Sequence, residues 1–106
     1  MASGNLQSGT WKYVDTKTGT SGIALPSDFT ELQVEVQITA NRLAAFHLIR
    51  NELTSSEKRF IAGTYFATGD NNGCSIGCTT GRVAILYAFS NGTDKTSTAT
   101  ITVYYK

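Results

Sequence analysis

The sequence predicts an all-β fold: an antiparallel β-sandwich, jelly-roll-like, with about eight strands. Over residues 31–38, apolar and polar residues alternate without a break, which is typical of a strand with one buried face. Apolar segments recur roughly every ten residues and are separated by Gly, Asn, Asp and Thr, which favour turns. No segment has a convincing helical period.

The segment from Glu31 to Arg50 predicts a hairpin that supplies one wall of the core. The tight reversal is at Ala40 and Asn41, and a second apolar strand follows directly. In the first strand the core side chains are Leu32, Val34, Val36 and Ile38, opposite Gln33, Glu35 and Gln37. In the second strand Ala44, Phe46 and Leu48 form one face, and Leu43, Ala45, His47 and Ile49 form the other.

The remaining strands follow from β-branched and aromatic residues between turn signals. They are predicted at Thr10–Asp15, Ile23–Leu25, Arg59–Ala67, Cys74–Thr79, Arg82–Ser90 and Ser97–Tyr105. Turns or loops are predicted at Thr16–Gly22, Thr68–Gly73 and Asn91–Asp94. Phe29 is expected to close one end of the core, and the loop Asn51–Lys58 to contain a helical turn capped by Thr54 or Ser55.

Two strands are apolar on both faces, one around Phe46 and one around Leu86. In the latter, Val83, Ile85, Tyr87 and Phe89 are expected to share one face. A two-layer sandwich buries only one face of each strand, so the second face needs a loop or another copy of the chain to cover it. We expect a homo-oligomer.

Length and charge restrict the class of protein. With 106 residues the chain fits one domain, predicted at residues 10–106, and residues 1–9 are expected to be a flexible lead or linker without a signal peptide. The net charge of +1 and the scattered basic residues predict no binding to nucleic acid. No apolar run is long enough for membrane insertion.

Cys74 and Cys78 share a face of a strand but lie roughly 13 Å apart in extended chain, at about 3.3 Å per residue. Structural thiols are therefore favoured, although a bend at Gly77 leaves a disulfide or a metal ligand open. His47 is the only histidine and has no partner in a ligand pattern, so no metal and no cofactor are predicted.

The sequence does not predict an enzyme. The carboxylates fall at turns and on polar strand positions, and nothing places two of them face to face. His47 lies within a strand, without a nucleophile motif nearby. No catalytic residues are assigned.

Binding is better supported, because aromatic rings and loop amides suit saccharide or protein contacts. The candidate ligand-binding residues are Trp11, Tyr65, Asp70, Asn71, Asn72, Tyr87 and Tyr104. The alternative for the aromatic residues is packing in the core or across strands, and for the Asn-rich segment a plain hairpin turn.

Short phrases in a fixed order resemble a family of β-domains. They are Trp11-Lys12, Ile23-Ala24-Leu25-Pro26, Phe29-Thr30-Glu31, Lys58-Arg59-Phe60-Ile61, Tyr65-Phe66, Asn91-Gly92-Thr93-Asp94 and Val103-Tyr104-Tyr105-Lys106. Together they resemble the C-terminal β-domains of tail and tail-fibre proteins from phages and prophages of gut Firmicutes.

The resemblance implies a non-enzymatic domain at a fibre tip, located in the tail of the virion and acting outside the host cell. It implies a homotrimer that binds a host-surface receptor, a glycan or another surface polymer. Two alternatives stay open: a structural module that only caps or trimerises a tail fibre or baseplate, and a carbohydrate-binding module of a secreted protein.

Overall fold

A computed structural model describes residues 10–64 and 71–106, which form nine strands and one short 3₁₀ turn. The strands are β1 (Lys12–Thr18), β2 (Ile23–Ala24), β3 (Glu31–Thr39), β4 (Arg42–Ile49), β5 (Lys58–Thr64), β6 (Asn72–Cys78), β7 (Arg82–Ser90), β8 (Thr93–Asp94) and β9 (Thr100–Tyr105). Within these ranges no helix is long and apolar enough to cross a membrane.

The strands form two antiparallel sheets that pack face to face. Sheet A has the order β1-β9-β3-β4, and sheet B the order β2-β7-β6-β5, with β8 paired to β7. The predicted all-β sandwich is confirmed. Its jelly-roll-like feature is the last strand, β9, which pairs with β1 on one side and with β3 on the other.

The core lies between the sheets and is made of the apolar faces that alternation predicts. Leu32, Val34 and Val36 of β3 are fully buried, and Phe29 is buried with them, as expected. The opposite wall comes from β6 and β7. Its main side chains are Cys74, Ile76, Cys78, Val83, Ile85 and Ala88.

The β3–β4 hairpin is confirmed, with its reversal at Ala40 and Asn41. Phe46 and Leu48 are buried in the core, whereas the other face of β4 is exposed. The Gln37 side-chain amide closes the hairpin end by donating to the carbonyls of Thr39 (2.7 Å) and Arg42 (3.1 Å).

Several local predictions are wrong, among them the turn at residues 93–94, which forms β8, and the strand start at Ser97, since β9 begins at Thr100. β1 continues through Thr18 instead of ending at Asp15, because Thr16 and Thr18 pair with Thr102 and Thr100 of β9. Such threonine pairs stabilise neighbouring strands.

Another wrong prediction is the capped helical turn. The 3₁₀ turn lies at Arg50–Glu52, before the predicted caps, and has no side-chain cap. The Thr54 hydroxyl instead accepts a hydrogen bond from the Ser56 backbone N–H (3.1 Å), which makes a local turn within the loop.

The faces of β7 also differ from the prediction. Register with β6 shifts between Ser75, opposite Tyr87, and Ile76, opposite Ile85, so that Leu86 is an extra residue in a β-bulge. Val83 and Ile85 face the core as expected, but beyond the bulge Ala88 replaces Tyr87 on that face. Tyr87 is therefore 48% exposed.

The outer face of sheet A is less exposed to solvent than the alternation of polar and apolar residues predicts. Glu35 is buried, although it belongs to the polar face of β3, an inner strand with β4 and β9 on its two sides. On the same face Thr102 and Tyr104 of β9 are also buried. This burial is confined to part of the face, since Gln37 of β3 is exposed.

Cys74 and Cys78 are both free thiols, buried on the core face of β6, so the structure contains structural thiols and no disulfide between them. Desolvation by burial raises the pKa of each thiol to about 12. Because burial favours the neutral, protonated thiol, both residues act as small apolar side chains of the core.

The raised thiol pKa values predict a loss of stability in alkaline solution. Unfolded thiols lose their protons above about pH 8.5, whereas the folded ones keep theirs until about pH 12. The folded state then binds more protons, so the free energy of unfolding should fall as pH rises through this window, by up to about 1.4 kcal/mol per pH unit for each thiol.

Urea unfolding between pH 8 and about pH 10.5 measures this slope. The double variant Cys74→Ala/Cys78→Ala keeps the lysines and tyrosines that also titrate, and should show a clearly shallower slope. Equal slopes in the two proteins would contradict the assignment.

Gly63 of β5 and Gly73 of β6 pair with each other, and both have positive φ angles, 83° and 125°. A Cβ on Gly73 would overlap the Ala62 carbonyl oxygen, and one on Gly63 would lie 2.6 Å from the Asn72 carbonyl oxygen. Only glycine fits where the two backbones approach this closely.

Gly73→Ala should therefore destabilise the domain by about 2 kcal/mol or more, from backbone strain and the steric overlap. Gly81→Ala is the matched control, because a Cβ there meets nothing nearer than the Thr79 hydroxyl oxygen at 3.9 Å and Gly81 has no positive φ. Chemical denaturation compares them, and equal effects of the two substitutions would refute the close-approach argument.

Candidate functional site

The structure does not bring the predicted ligand-binding residues together. Trp11 and Tyr104 lie on the side of sheet A, Tyr87 lies on the outer face of sheet B, and Asn71 and Asn72 lie at the start of β6. Tyr65 and Asp70 lie outside the described residues. The five that are described occupy three separate places.

Trp11 belongs to a cluster, the Trp11 cluster, with Glu31, His47 and Lys106. Its ring meets the His47 ring edge-on at 6.1 Å, and the Lys106 ammonium lies 4.9 Å from the centre of its ring. Glu31 Oε1 is 2.7 Å from His47 Nε2 and 4.0 Å from Lys106 Nζ. A face of the indole is thus occupied by a cation, so Trp11 joins β3, β4 and the end of β9 instead of presenting an open stacking surface.

Tyr104 is 2% exposed, with the Tyr13 ring edge-on against it at 5.9 Å. The Tyr13 hydroxyl donates to the Thr16 hydroxyl (2.8 Å), which in turn donates to Thr102 (3.2 Å). Tyr104 is therefore packed within sheet A and is not accessible to a ligand.

Tyr87 lies in one cross-strand row with Ser75 and Ile61 on the outer face of sheet B. Ile61 and Tyr87 are exposed, whereas the Ser75 hydroxyl is buried between them without a hydrogen-bond partner among the described residues. This row is an exposed patch of two large side chains on either side of a buried hydroxyl group.

Asn71 and Asn72 have a bracing role in the structure. The Asn72 side-chain oxygen accepts a hydrogen bond from the Asn91 backbone N–H, and the Asn71 carbonyl accepts one from the Gly92 N–H, both at 2.8 Å. Asn91 has a φ of 50°, a left-handed conformation that asparagine tolerates better than most residues. The turn after β7 is thereby fixed to the start of β6.

Arg42, the first residue of β4, extends this network to sheet A. Its Nη2 donates to the Asn91 side-chain oxygen at 3.2 Å. Polar groups from three parts of the chain, the β3–β4 turn, the start of β6 and the turn after β7, therefore converge at one end of the sandwich.

A cleft of about 510 Å³ lies beside this network, between β4 at the edge of sheet A and β5 at the edge of sheet B. We refer to it as the edge cleft. It is lined by Ile38, Asn41, Arg42, Leu43, Ala44, Ala45, Ala62, Gly63, Asn72 and Gly73. One wall is apolar, and the rim carries amide and guanidinium groups.

The paired glycines Gly63 and Gly73 form part of the lining. Because neither has a side chain, a ligand can approach the backbone of β5 and β6 directly. Glycine often marks a place where a ligand comes close to the backbone.

The described lining of the edge cleft offers amide and backbone hydrogen-bonding groups and one cation. Among the lining residues on the described part of the chain, Arg42 is the one with a charged side chain. Asp94, whose pKa is lowered by hydrogen bonds from the Thr96 hydroxyl and backbone N–H, is not in the lining. Over residues 10–64 and 71–106, no group of three or more His, Cys, Asp and Glu side chains is placed to hold a metal ion.

Sequence reasoning found Asn72 of this site but missed Arg42, Asn91 and the glycine pair. Two local signals were present: a glycine inside the strand pattern at Gly63, which predicts close backbone approach, and the Asn91-Gly92 dipeptide, which predicts a turn. Neither signal shows which distant residues will be neighbours.

Comparison with known proteins gives no further guide to this site. No protein-family model, no curated protein and no solved structure matches the chain.

Proposed function

We propose that this chain is a non-catalytic adhesion domain of the phage tail-fibre-tip type, which binds a host-surface glycan in the edge cleft. The observation that carries the proposal is the cleft itself, with its apolar wall, its bare backbone and its amide rim. The family resemblance described above supplies the biological setting, the tail of a virion that acts outside the host cell.

The edge cleft has the properties that a sugar ring requires. Its volume of about 510 Å³ falls within the usual range of small-ligand sites, roughly 300–1,000 Å³. Leu43 and Ala62 can pack against the C–H face of a ring, while Asn41 and Asn72 are close enough to the same space to offer hydrogen bonds to hydroxyl groups.

We further propose that the domain is a homotrimer in which copies cover the end of the outer face of β4 that carries His47 and Ile49, both of them exposed. Leu43 and Ala45, at the start of the same face, line the edge cleft and stay outside the proposed interface. No described loop covers it, so of the two covers that the sequence allowed, another copy is the better supported. Three weak saccharide sites on one fibre would then act together.

The apolar faces of β7 give less support. Beyond the β-bulge, Ala88 enters the core, and on the outer face Ala84 is buried within the chain. The exposed Tyr87 lies with Ile61 in a separate patch on sheet B, which is the alternative interface that the variants below distinguish from β4.

Binding to bacterial walls tests the adhesion proposal. We expect the fluorescently labelled domain to bind surface polysaccharides purified from a panel of gut Firmicutes, and Ala45→Phe to weaken this binding at least about tenfold by filling the cleft, a change equal to about 1.4 kcal/mol. Thr18→Phe places the same residue on the same face of sheet A but at the opposite edge, and should bind like the parent.

The fluorescence of Trp11, the only tryptophan, adds a second readout. A ligand in the edge cleft should leave it unchanged, since the Trp11 cluster does not line the cleft. Equal binding of the two phenylalanine variants would contradict the proposed site. A trimer that binds no polysaccharide of the panel would favour the capping module instead.

The trimer proposal predicts a difference between two exposed isoleucines. Ile49→Lys should convert the trimer to monomer, because it puts a charge into the proposed interface on β4. Ile61→Lys, at a 51% exposed position on the outer face of sheet B, should leave the trimer intact. Light scattering at several protein concentrations measures the mass of each.

A monomeric parent protein would refute the trimer. Dissociation by Ile61→Lys alone would place the interface on sheet B and would equally refute the β4 contact.

A further inference from the structure

We infer that the ligand of the edge cleft is an anionic saccharide, whose phosphate or carboxylate group is bound by Arg42. This inference rests on the proposed function, since it names the class of saccharide that the same cleft would take. It is carried by the state of the Arg42 side chain.

Arg42 differs from the other arginines whose contacts are known. Arg82 donates to the carbonyls of Thr20 and Ser21, which fixes it inside its own sheet, and Arg50 lies over the Phe29 ring at 4.6 Å while donating to the Phe29 carbonyl. The contacts of those two side chains stabilise the fold. Arg42 is exposed beside the cleft, and among the described residues its side chain has one hydrogen bond, to the neutral amide of Asn91.

The charge of Arg42 is not neutralised within the described structure. Arg42 forms no ion pair with a described residue, and no carboxylate is among the described residues that line the cleft. A guanidinium group has five N–H donors in a planar fork, and the bond to Asn91 uses one of them. The remaining donors match the spacing of two oxygens in a carboxylate or phosphate group.

The guanidinium is also held in place before any ligand binds. Asn91 accepts from Arg42 while its own N–H is held by Asn72, and the Arg42 carbonyl is held by Gln37. A donor that is already oriented loses less entropy on binding. The network therefore orients the Arg42 guanidinium through neutral groups and leaves its positive charge without a counter-ion among the described residues. Such a group binds an anion better than a neutral hydroxyl group.

The test compares pairs of probes with the same sugar, of which one carries the anionic group and the other is neutral: glucose 6-phosphate with glucose, and a galacturonic acid tetramer with its methyl ester. Affinities are measured by titration calorimetry, and backbone NMR shifts show where the probes bind. The two pairs separate a phosphate preference from a carboxylate preference.

We expect each anionic probe, or one of the two, to bind at least about tenfold more tightly than its neutral partner, a difference that matches one charge-assisted contact. Arg42→Gln should abolish this preference. Lys17→Gln is the matched control, because it removes the same charge from an exposed lysine on β1, at the opposite edge of sheet A, and should preserve it.

Asn91→Gly provides a second, milder variant. Glycine retains the positive φ of the turn but removes the oxygen that holds Arg42, so the preference should shrink without vanishing. This variant keeps the inference testable if Arg42→Gln fails to fold.

The result that overturns the inference is an equal affinity for charged and neutral probes, or a preference that survives Arg42→Gln. If both probes of a pair still bind equally and Ala45→Phe weakens both, the cleft binds saccharides without charge selection, and only this inference fails. If neither the probes nor the wall polysaccharides bind, the proposed function fails with it.

Discussion

The insertion of β9 between β1 and β3 is the contact on which the rest of the structure depends. Sheet A has no continuity without it, because β1 pairs with no other strand of that sheet. Ile101 and Val103 of β9 are fully buried, and the Lys106 carbonyl at its end accepts hydrogen bonds from the backbone of Thr30 (2.7 Å) and Glu31 (3.0 Å). The fold is thus completed by contacts between the two ends of the chain, which are costly to close and slow to form.

This closure leaves the opposite side of the sandwich open, at the edges β4 and β5. Free edges usually carry charges, bulges or very short strands that prevent pairing with other chains. β1 has Lys12, Lys17 and a bulge near Val14, and β2 is only two residues long. β5 begins with lysine and arginine, whereas β4 is long and has an exposed apolar face. The cleft and the proposed interface therefore lie on the side that is least protected.

Much of the sandwich could be predicted because its core side chains, such as Leu32, Val34 and Val36, alternate with polar residues along the sequence. The β-bulge at Leu86 could not, since Val83–Phe89 alternates equally well with or without an extra residue, and only the partner strand β6 decides the register. The burial of Glu35 and Tyr104 likewise depends on which strands are inner strands. The candidate site was mostly missed for the same reason: it unites positions as distant as Arg42 and Asn91.

The lining of the edge cleft combines residues that folding requires with one that it does not. Gly63 and Gly73 are needed wherever β5 and β6 approach this closely, so they would be present even in a domain without a ligand. Asn72 and Asn91 hold a turn together and are explained by that role alone. Arg42 is different, because its exposed charge pairs with no described carboxylate. The part of the site that stability does not account for is therefore the part that most strongly indicates a ligand.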